Sequence, residues 1–486
     1  MKKILSIIFA FILIALTVVI PASANSAQTY WRGVDSTGAL VVGESCPIEV
    51  TKEVLTFDIS EFPDSYYRKK EKYLAYTGKV TAEYTFYNPT ELDVNATLAF
   101  PFGTQPDYAS IYDETQTYLH NVDTEKYGIT VNGEEVEKKI RYTLKAGGQF
   151  ELSKDLPKLS DSYISDSFFS PTMTVTKYTY IVGGENKEGL IDKETYDAAN
   201  VAFDWNGGDG KTRLYFPEQS GFHKQKDGDY RLSMWADNGE IFSVYAIGQP
   251  LTTPLVMKCY ENGGVEDRTE IDGIVTLTNT EAMTLEELAL ENWKEETGVS
   301  KVDWYNAVID AFNSDRDNKY YVSLNVVSSL STDIFMGDLM RWYEYEITLK
   351  PKESIVNTVT APMYPEIDGG YEPAIYTYTY LLSPASTWAS FKEIEINIYT
   401  PFYMTESNIE GFSKTDNGYT YKQNGLPSGE LEFTLCSSEN PARVLSPYAL
   451  LGGIILGAII LGFIAVILII VGIVFIVVRK KRRKVK

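Results

Sequence analysis

The sequence predicts a mainly β protein: tandem antiparallel β-sandwich domains with a small helical hairpin insertion, plus one C-terminal transmembrane helix. Three observations lead there. Apolar residues alternate with polar ones over many short runs, turn dipeptides separate those runs, and one long uncharged stretch follows the last of them. Period-two alternation marks half-buried strands, because successive side chains of a strand point to opposite faces.

The chain opens with Lys2 and Lys3, an uncharged apolar run from Ile4 to Ile20, then Pro21 and Ala22-Ser23-Ala24. A basic start, an apolar stretch and an A-x-A ending read as a secretory signal peptide over 1–24. A first sandwich is expected over 25–150. There Val80, Ala82, Tyr84 and Phe86 alternate with Lys79, Thr81, Glu83 and Thr85, and after Asn88-Pro89 a second run carries Leu92, Val94, Ala96, Leu98 and Phe100. Asn132-Gly133, Asn417-Gly418 and Asn424-Gly425 are hairpin dipeptides that accept positive φ. A β-rich middle region follows over 151–283.

One segment departs from this period. Thr284 and Glu287 form a capping-box pattern, Gly298 can end that helix, and Ser300 can start another. Trp304, Val308 and Phe312 then fall at i, i+4 and i+8, which places them on one helical face. A helical hairpin is therefore expected over 284–313, packed on a sheet. A membrane-proximal sandwich over 314–440 follows, with strands at Tyr343–Leu349, Ile394–Ile398 and Leu431–Leu435.

From Tyr448 to Val478 the chain holds 31 residues without a charge. As a helix that stretch would extend about 46 Å, against a hydrocarbon core of about 30 Å, so a transmembrane helix is expected over 448–478. Arg479, Lys480, Lys481, Arg482, Arg483 and Lys484 follow it in a basic tail over 479–486, which the positive-inside rule assigns to the cytoplasm. The expected location is thus the cell membrane, single-pass, with the large N-terminal part outside and the lipid bilayer as a partner. Gly453, Gly457, Ala458 and Gly462 are spaced for close helix packing, through which a homo-oligomer could form.

Both termini are purely basic. Removing the leader's two lysines and the tail's seven cations leaves 35 Lys and Arg against 66 acids, a net charge near −31 for the expected exterior. Such a surface repels nucleic acid and stays soluble by self-repulsion. Cys46, Cys259 and Cys436 are too few for a disulfide framework. With only two histidines and a Lys-led leader, the composition suits a bacterial cell envelope.

Residues 73–144 resemble the VIT domain, the β-sandwich named for vault protein and inter-alpha-trypsin inhibitor. The resemblance rests on Thr81-Ala82-Glu83-Tyr84-Thr85-Phe86-Tyr87-Asn88-Pro89-Thr90, on Leu98-Ala99-Phe100-Pro101-Phe102, and on Gly128–Val136 with its Asn132-Gly133 turn. It implies an interaction module, often followed by a von Willebrand type A domain with an Asp-x-Ser-x-Ser metal site. That motif is missing, and Asp166-Ser167-Phe168-Phe169-Ser170 has the wrong spacing for it.

Motifs for chemistry are sparse. No H-E-x-x-H pair and no G-x-S-x-G elbow occur, and Gly210-Lys211-Thr212 lacks the glycine that would open a phosphate loop. Asp204, Asn206 and Asp209 have calcium-loop spacing, but position twelve is Tyr215 where a bidentate acid is needed; an Asx-rich turn is the competing reading. Asp315 and Asp317 raise the same question. Tyr376, Tyr378 and Tyr380 share one strand face and are candidates for a sugar-stacking stripe, against ordinary packing. No catalytic residue and no cofactor is predicted. Two function classes stay open: a non-enzymatic extracellular binding or structural protein of the envelope, contacting envelope proteins or wall polymers, and a membrane-anchored hydrolase of cell-wall glycans.

Overall fold

The structure, a computed structural model, describes residues 46–63, 78–103, 127–144, 152–183, 198–208, 210–225, 229–263, 268–314 and 339–444, with short strands at 30–31, 36–37, 40–42, 111–112, 118–119 and 326–327. The protein is mainly β, as its alternating sequence requires.

The largest sheet has nine strands. Its order runs Glu134–Glu135, Gly128–Val131, Ser354–Met363, Gly78–Tyr87, Glu49–Ile59, Glu393–Tyr399, Gly418–Asn424 and Ser413–Thr415, with Ser390–Phe391 also beside Glu49–Ile59. Two strands from early in the chain therefore lie between strands from its far end. Ser354–Met363 pairs antiparallel with Gly78–Tyr87, and Glu393–Tyr399 runs parallel to Glu49–Ile59. Parallel central strands are covered on their faces and favour branched aliphatic residues; Ile394, Ile396 and Ile398 are fully buried.

Two smaller sheets pack on this one. One joins Lys139–Leu144, Leu339–Leu349, Val94–Gly103 and Leu40–Val42; the other includes Glu366–Asp368, Ile375–Leu381, Leu431–Cys436 and Tyr403–Ser407. A single apolar core runs through all three sheets, from Leu55, Phe57 and Tyr84 to Leu98 and Ile347 on one side and Tyr380 and Phe433 on the other. This corrects the expected tandem arrangement. The segments resembling a VIT domain are not closed on themselves, because Ser354–Met363 lies between Gly78–Tyr87 and Gly128–Val131. Period-two patterning fixes which face of a strand is inward but carries no information about which strand lies next to it.

The middle of the chain is an insertion into this scaffold. Lys139–Leu144 and Leu339–Leu349 pair antiparallel up to Leu144 opposite Leu339, so the chain leaves and re-enters at adjacent positions. Between them lies a separate sandwich. One five-stranded sheet contains Val275–Thr284, Thr174–Val182, Ile241–Gly248, Thr212–Tyr215 and Val326–Val327; the other contains Gly221–Lys224, Tyr230–Ala236, Ala199–Trp205, Lys258–Tyr260 and Glu270–Ile271. Their inward rows, including Tyr180, Val201, Leu232 and Val244, close a second core.

Two helices cover the outer face of the first of these sheets. Leu285–Ala289 starts at Thr284, whose hydroxyl accepts the Glu287 N–H while the Glu287 carboxylate accepts the Thr284 N–H, a complete capping box. In Lys301–Ser314, Trp304, Val308 and Phe312 are buried against Val175, Tyr215, Tyr245 and Ile247. The same helix ties the insertion to the scaffold. Asp303 accepts from Nε and Nη2 of Arg141 at 3.1 Å each and from the Tyr142 N–H, with Arg141 and Asp303 both buried. Nη1 of Arg141 also donates to Asp161 and Glu344, so the buried guanidinium is surrounded by acceptors.

The expected transmembrane helix is a second correction. Among the described residues no helix is long and apolar enough to cross a membrane. The longest, Lys301–Ser314, has 14 residues and carries Asp303 and Asp310; at about 1.5 Å per residue it reaches about 21 Å, short of the roughly 30 Å hydrocarbon core. The leader 1–24, the stretch 448–478 with Gly453, Gly457, Ala458 and Gly462, and the tail Arg479 to Lys486 lie outside the described residues.

Candidate functional site

A recess among the described residues lies at one end of the inserted sandwich, where the chain crosses from one sheet to the other. Strand Ala199–Trp205 turns Val201 and Phe203 into the core and Asp204 outward. Directly opposite on Tyr230–Ala236 stands Arg231. The two form a fork: Nε of Arg231 donates to Oδ1 of Asp204 at 2.7 Å, and Nη2 donates to Oδ2 at 3.0 Å. Such bidentate pairs are geometrically specific because both groups are planar.

The Arg231 guanidinium also lies 5.0 Å from the ring centre of Tyr260, and Arg268 lies 5.4 Å from the same ring. Tyr260 is buried, so its ring supports the cations rather than offering a free face. Lys258, two residues earlier, pairs with Glu270 at 2.8 Å.

The opposite wall is the crossing loop 249–257, which carries Pro250, Leu251, Pro254, Leu255 and Val256. Three bonds hold the start of this loop, one of them from the Gln249 N–H to the Lys211 carbonyl at 3.3 Å. The Thr212 hydroxyl donates to the Gln249 carbonyl at 2.7 Å, and the Leu251 N–H donates to the Tyr178 phenol at 2.8 Å. Val256 stays 80% exposed, so this wall presents an apolar side chain to solvent. Trp205 closes the end, its ring against Gly208, whose φ of +61° and lack of a Cβ permit the close approach. The result is a cleft of about 590 Å³ with one largely apolar wall, interrupted by the exposed Thr252 and Thr253, and one wall of paired charges.

Of the residues with calcium-loop spacing, Asp204 and Asn206 both line this cleft, but in other roles. The Asp204 carboxylate is held by Arg231, and a guanidinium 2.7 Å away competes electrostatically with any cation. Asn206 Oδ1 accepts the Gly208 N–H at 3.0 Å, an Asx turn. Asp209, Asp315 and Asp317 lie outside the described residues. No group of three His, Cys, Asp or Glu among the described residues is arranged to hold a metal. Tyr378 and Tyr380, 1% exposed each, belong to the scaffold core, and Tyr376 stacks on Phe62 at 3.8 Å; they form no open stripe. The loop 249–257, Arg231 and Tyr260 are the site residues that sequence reading missed. The prolines at 250 and 254 were the available signal.

A second polar cluster lies sealed in the scaffold core. Glu53 is 1% exposed with the Tyr84 and Tyr380 rings beside it, and burial pushes its carboxyl up to about 8. Its Oε2 accepts no hydrogen bond there.

No family model and no curated protein matches the chain. Among solved structures it is similar to a proposed nutrient binding protein from Legionella pneumophila, at 10% identity and a TM-score of 0.28, over 84% of this chain and 72% of that one. A likeness that low carries no argument about fold or function.

Proposed function

We propose that the protein is a non-catalytic binding protein of the cell envelope, and that its partner seats in the cleft between Asp204 and the loop 249–257. The observation that carries this reading is the cleft itself: about 590 Å³, walled on one side by a largely apolar loop held at its start and on the other by a fixed charge pair. Pre-formed recesses with a few convergent polar groups are where ligands bind. The basic-apolar leader at 1–24 and the acidic exterior support an exported setting.

Two of the groups that chemistry could use are already committed. A glycan hydrolase requires a carboxylic acid and a second carboxylate flanking the scissile bond. Both oxygens of Asp204 accept from Arg231, and the Thr212 hydroxyl is spent on Gln249. These contacts favour holding a ligand over cleaving one.

The test is co-sedimentation of the purified full-length chain with the isolated envelope fraction of bacterial cells. Saturable retention, weakened at least about tenfold by Arg231→Ala, is expected for a residue central to a site. Retention unaffected by that substitution would place binding elsewhere and overturn the reading.

A further inference from the structure

We infer that the cleft of the inserted sandwich takes a neutral saccharide unit, an inference that rests on the binding reading above. The charge of its walls points there. Among the described residues at the cleft, Asp204, Asp229 and Glu270 are matched in number by Arg231, Lys258 and Arg268, in a chain whose formal net charge is −22. A recess neutral within so acidic a protein selects neither cations nor anions, so the ligand should itself be uncharged.

Its polar wall nonetheless demands a ligand rich in hydrogen bonds. The Asp204 side chain is 46% exposed and that of Arg231 17%. A carboxylate offers about four lone-pair sites, and two of those on Asp204 are taken by the fork. At 46% exposure the carboxylate keeps acceptor capacity, which suits vicinal hydroxyls that donate to it. Covering this pair with an apolar ligand would leave charged groups desolvated, at a large cost.

The facing wall asks for the reverse. Pro250, Leu251, Pro254 and Val256, with the Trp205 edge, offer C–H surface, with the exposed Thr252 and Thr253 between Leu251 and Pro254 adding only two hydroxyls. A pyranose ring satisfies both walls at once, since its axial C–H groups form an apolar face and its hydroxyls a polar rim. A proline-rich peptide is also neutral, but such peptides dock between parallel aromatic ridges. Here, of the three aromatic residues at the cleft, Phe203 belongs to the core and Tyr260 lies under Arg231 and Arg268, which leaves Trp205 alone.

Titration calorimetry of the full-length chain with soluble neutral N-acetylglucosamine oligosaccharides tests the inference, with a proline-rich decapeptide and a polyanionic glycerol-phosphate polymer as alternatives. Saturable binding of the oligosaccharide alone is expected. Arg231→Lys, which keeps charge but loses the planar fork, and Val256→Asp, at an exposed site that folding does not need, should each weaken it at least about tenfold. Retention on the envelope fraction with no oligosaccharide binding, or preference for the peptide or the polyanion, would overturn the saccharide and leave the binding reading standing. Loss of both signals in the unaltered chain would remove both.

Discussion

Scaffold and insertion each carry a polar cluster centred on one acid, and they use it in opposite ways. In the scaffold, Glu53 points into a core shared by three sheets, with one oxygen unbonded and the Tyr84 and Tyr380 phenols beside it. In the insertion, Asp204 points outward one residue before the end of its strand and is met by Arg231 at the mouth of a cleft. The first arrangement reaches no ligand and makes stability depend on pH. The second leaves the core apolar and places polar atoms where a partner can meet them. Sheet closure explains the difference: Glu49–Ile59 is central in nine strands, whereas Ala199–Trp205 ends where the chain must cross between sheets.

The link between the two regions should show the largest effect. Arg141→Ala removes the partner of buried Asp303 and is expected to cost about 3–5 kcal/mol in denaturant unfolding, the range for an orphaned buried charge. A loss below about 1 kcal/mol would mean that the insertion is not clamped through this pair.

Next comes Glu53. The folded state holds its proton up to about 8, whereas the unfolded chain releases it near the ordinary glutamate value of about 4.3. The unfolded state therefore binds fewer protons between these values, and stability falls as pH rises through that window before levelling off above about 8. Glu53→Gln should gain on the unaltered chain in Tm from pH 5 to pH 8. Parallel Tm curves for the two proteins would contradict a buried, protonated Glu53.

Smaller still is the capping box on the insertion's first helix. Thr284→Ala should cost about 1 kcal/mol by thermal melting, with the cleft's binding unchanged. The smallest effect on stability is expected from the cleft pair itself. Asp204→Asn removes a half-exposed ion pair and should change stability by no more than about 1 kcal/mol while binding falls. A strong loss of stability there would erase the contrast between scaffold and cleft.

Strand content was legible because alternation is local. Val80, Ala82, Tyr84 and Phe86 announce their inward face without any partner. So was the capping box, whose parts lie three residues apart. Sheet order was not, since pairing Gly78–Tyr87 with Ser354–Met363 spans most of the chain and leaves no local trace. Trp342 misleads for a related reason: it alternates as an outward residue, yet Leu156 and Leu159 cover that face and its indole donates to Thr143 at 2.8 Å. Asp204 drew notice for its spacing to Asn206, but its role is set by Arg231, 27 residues on and opposite in the sheet.

The central claim is that one scaffold is formed by both ends of the described chain and that ligand contact is confined to the insertion. Hydrogen exchange of the full-length protein, with and without a neutral N-acetylglucosamine oligosaccharide, tests it most directly. Gly78–Tyr87 and Ser354–Met363 should open together at one shared free energy, and added oligosaccharide should slow exchange only around 204–208, 229–231 and 249–257. Separate opening of those two strands, or protection appearing in the scaffold, would contradict the account.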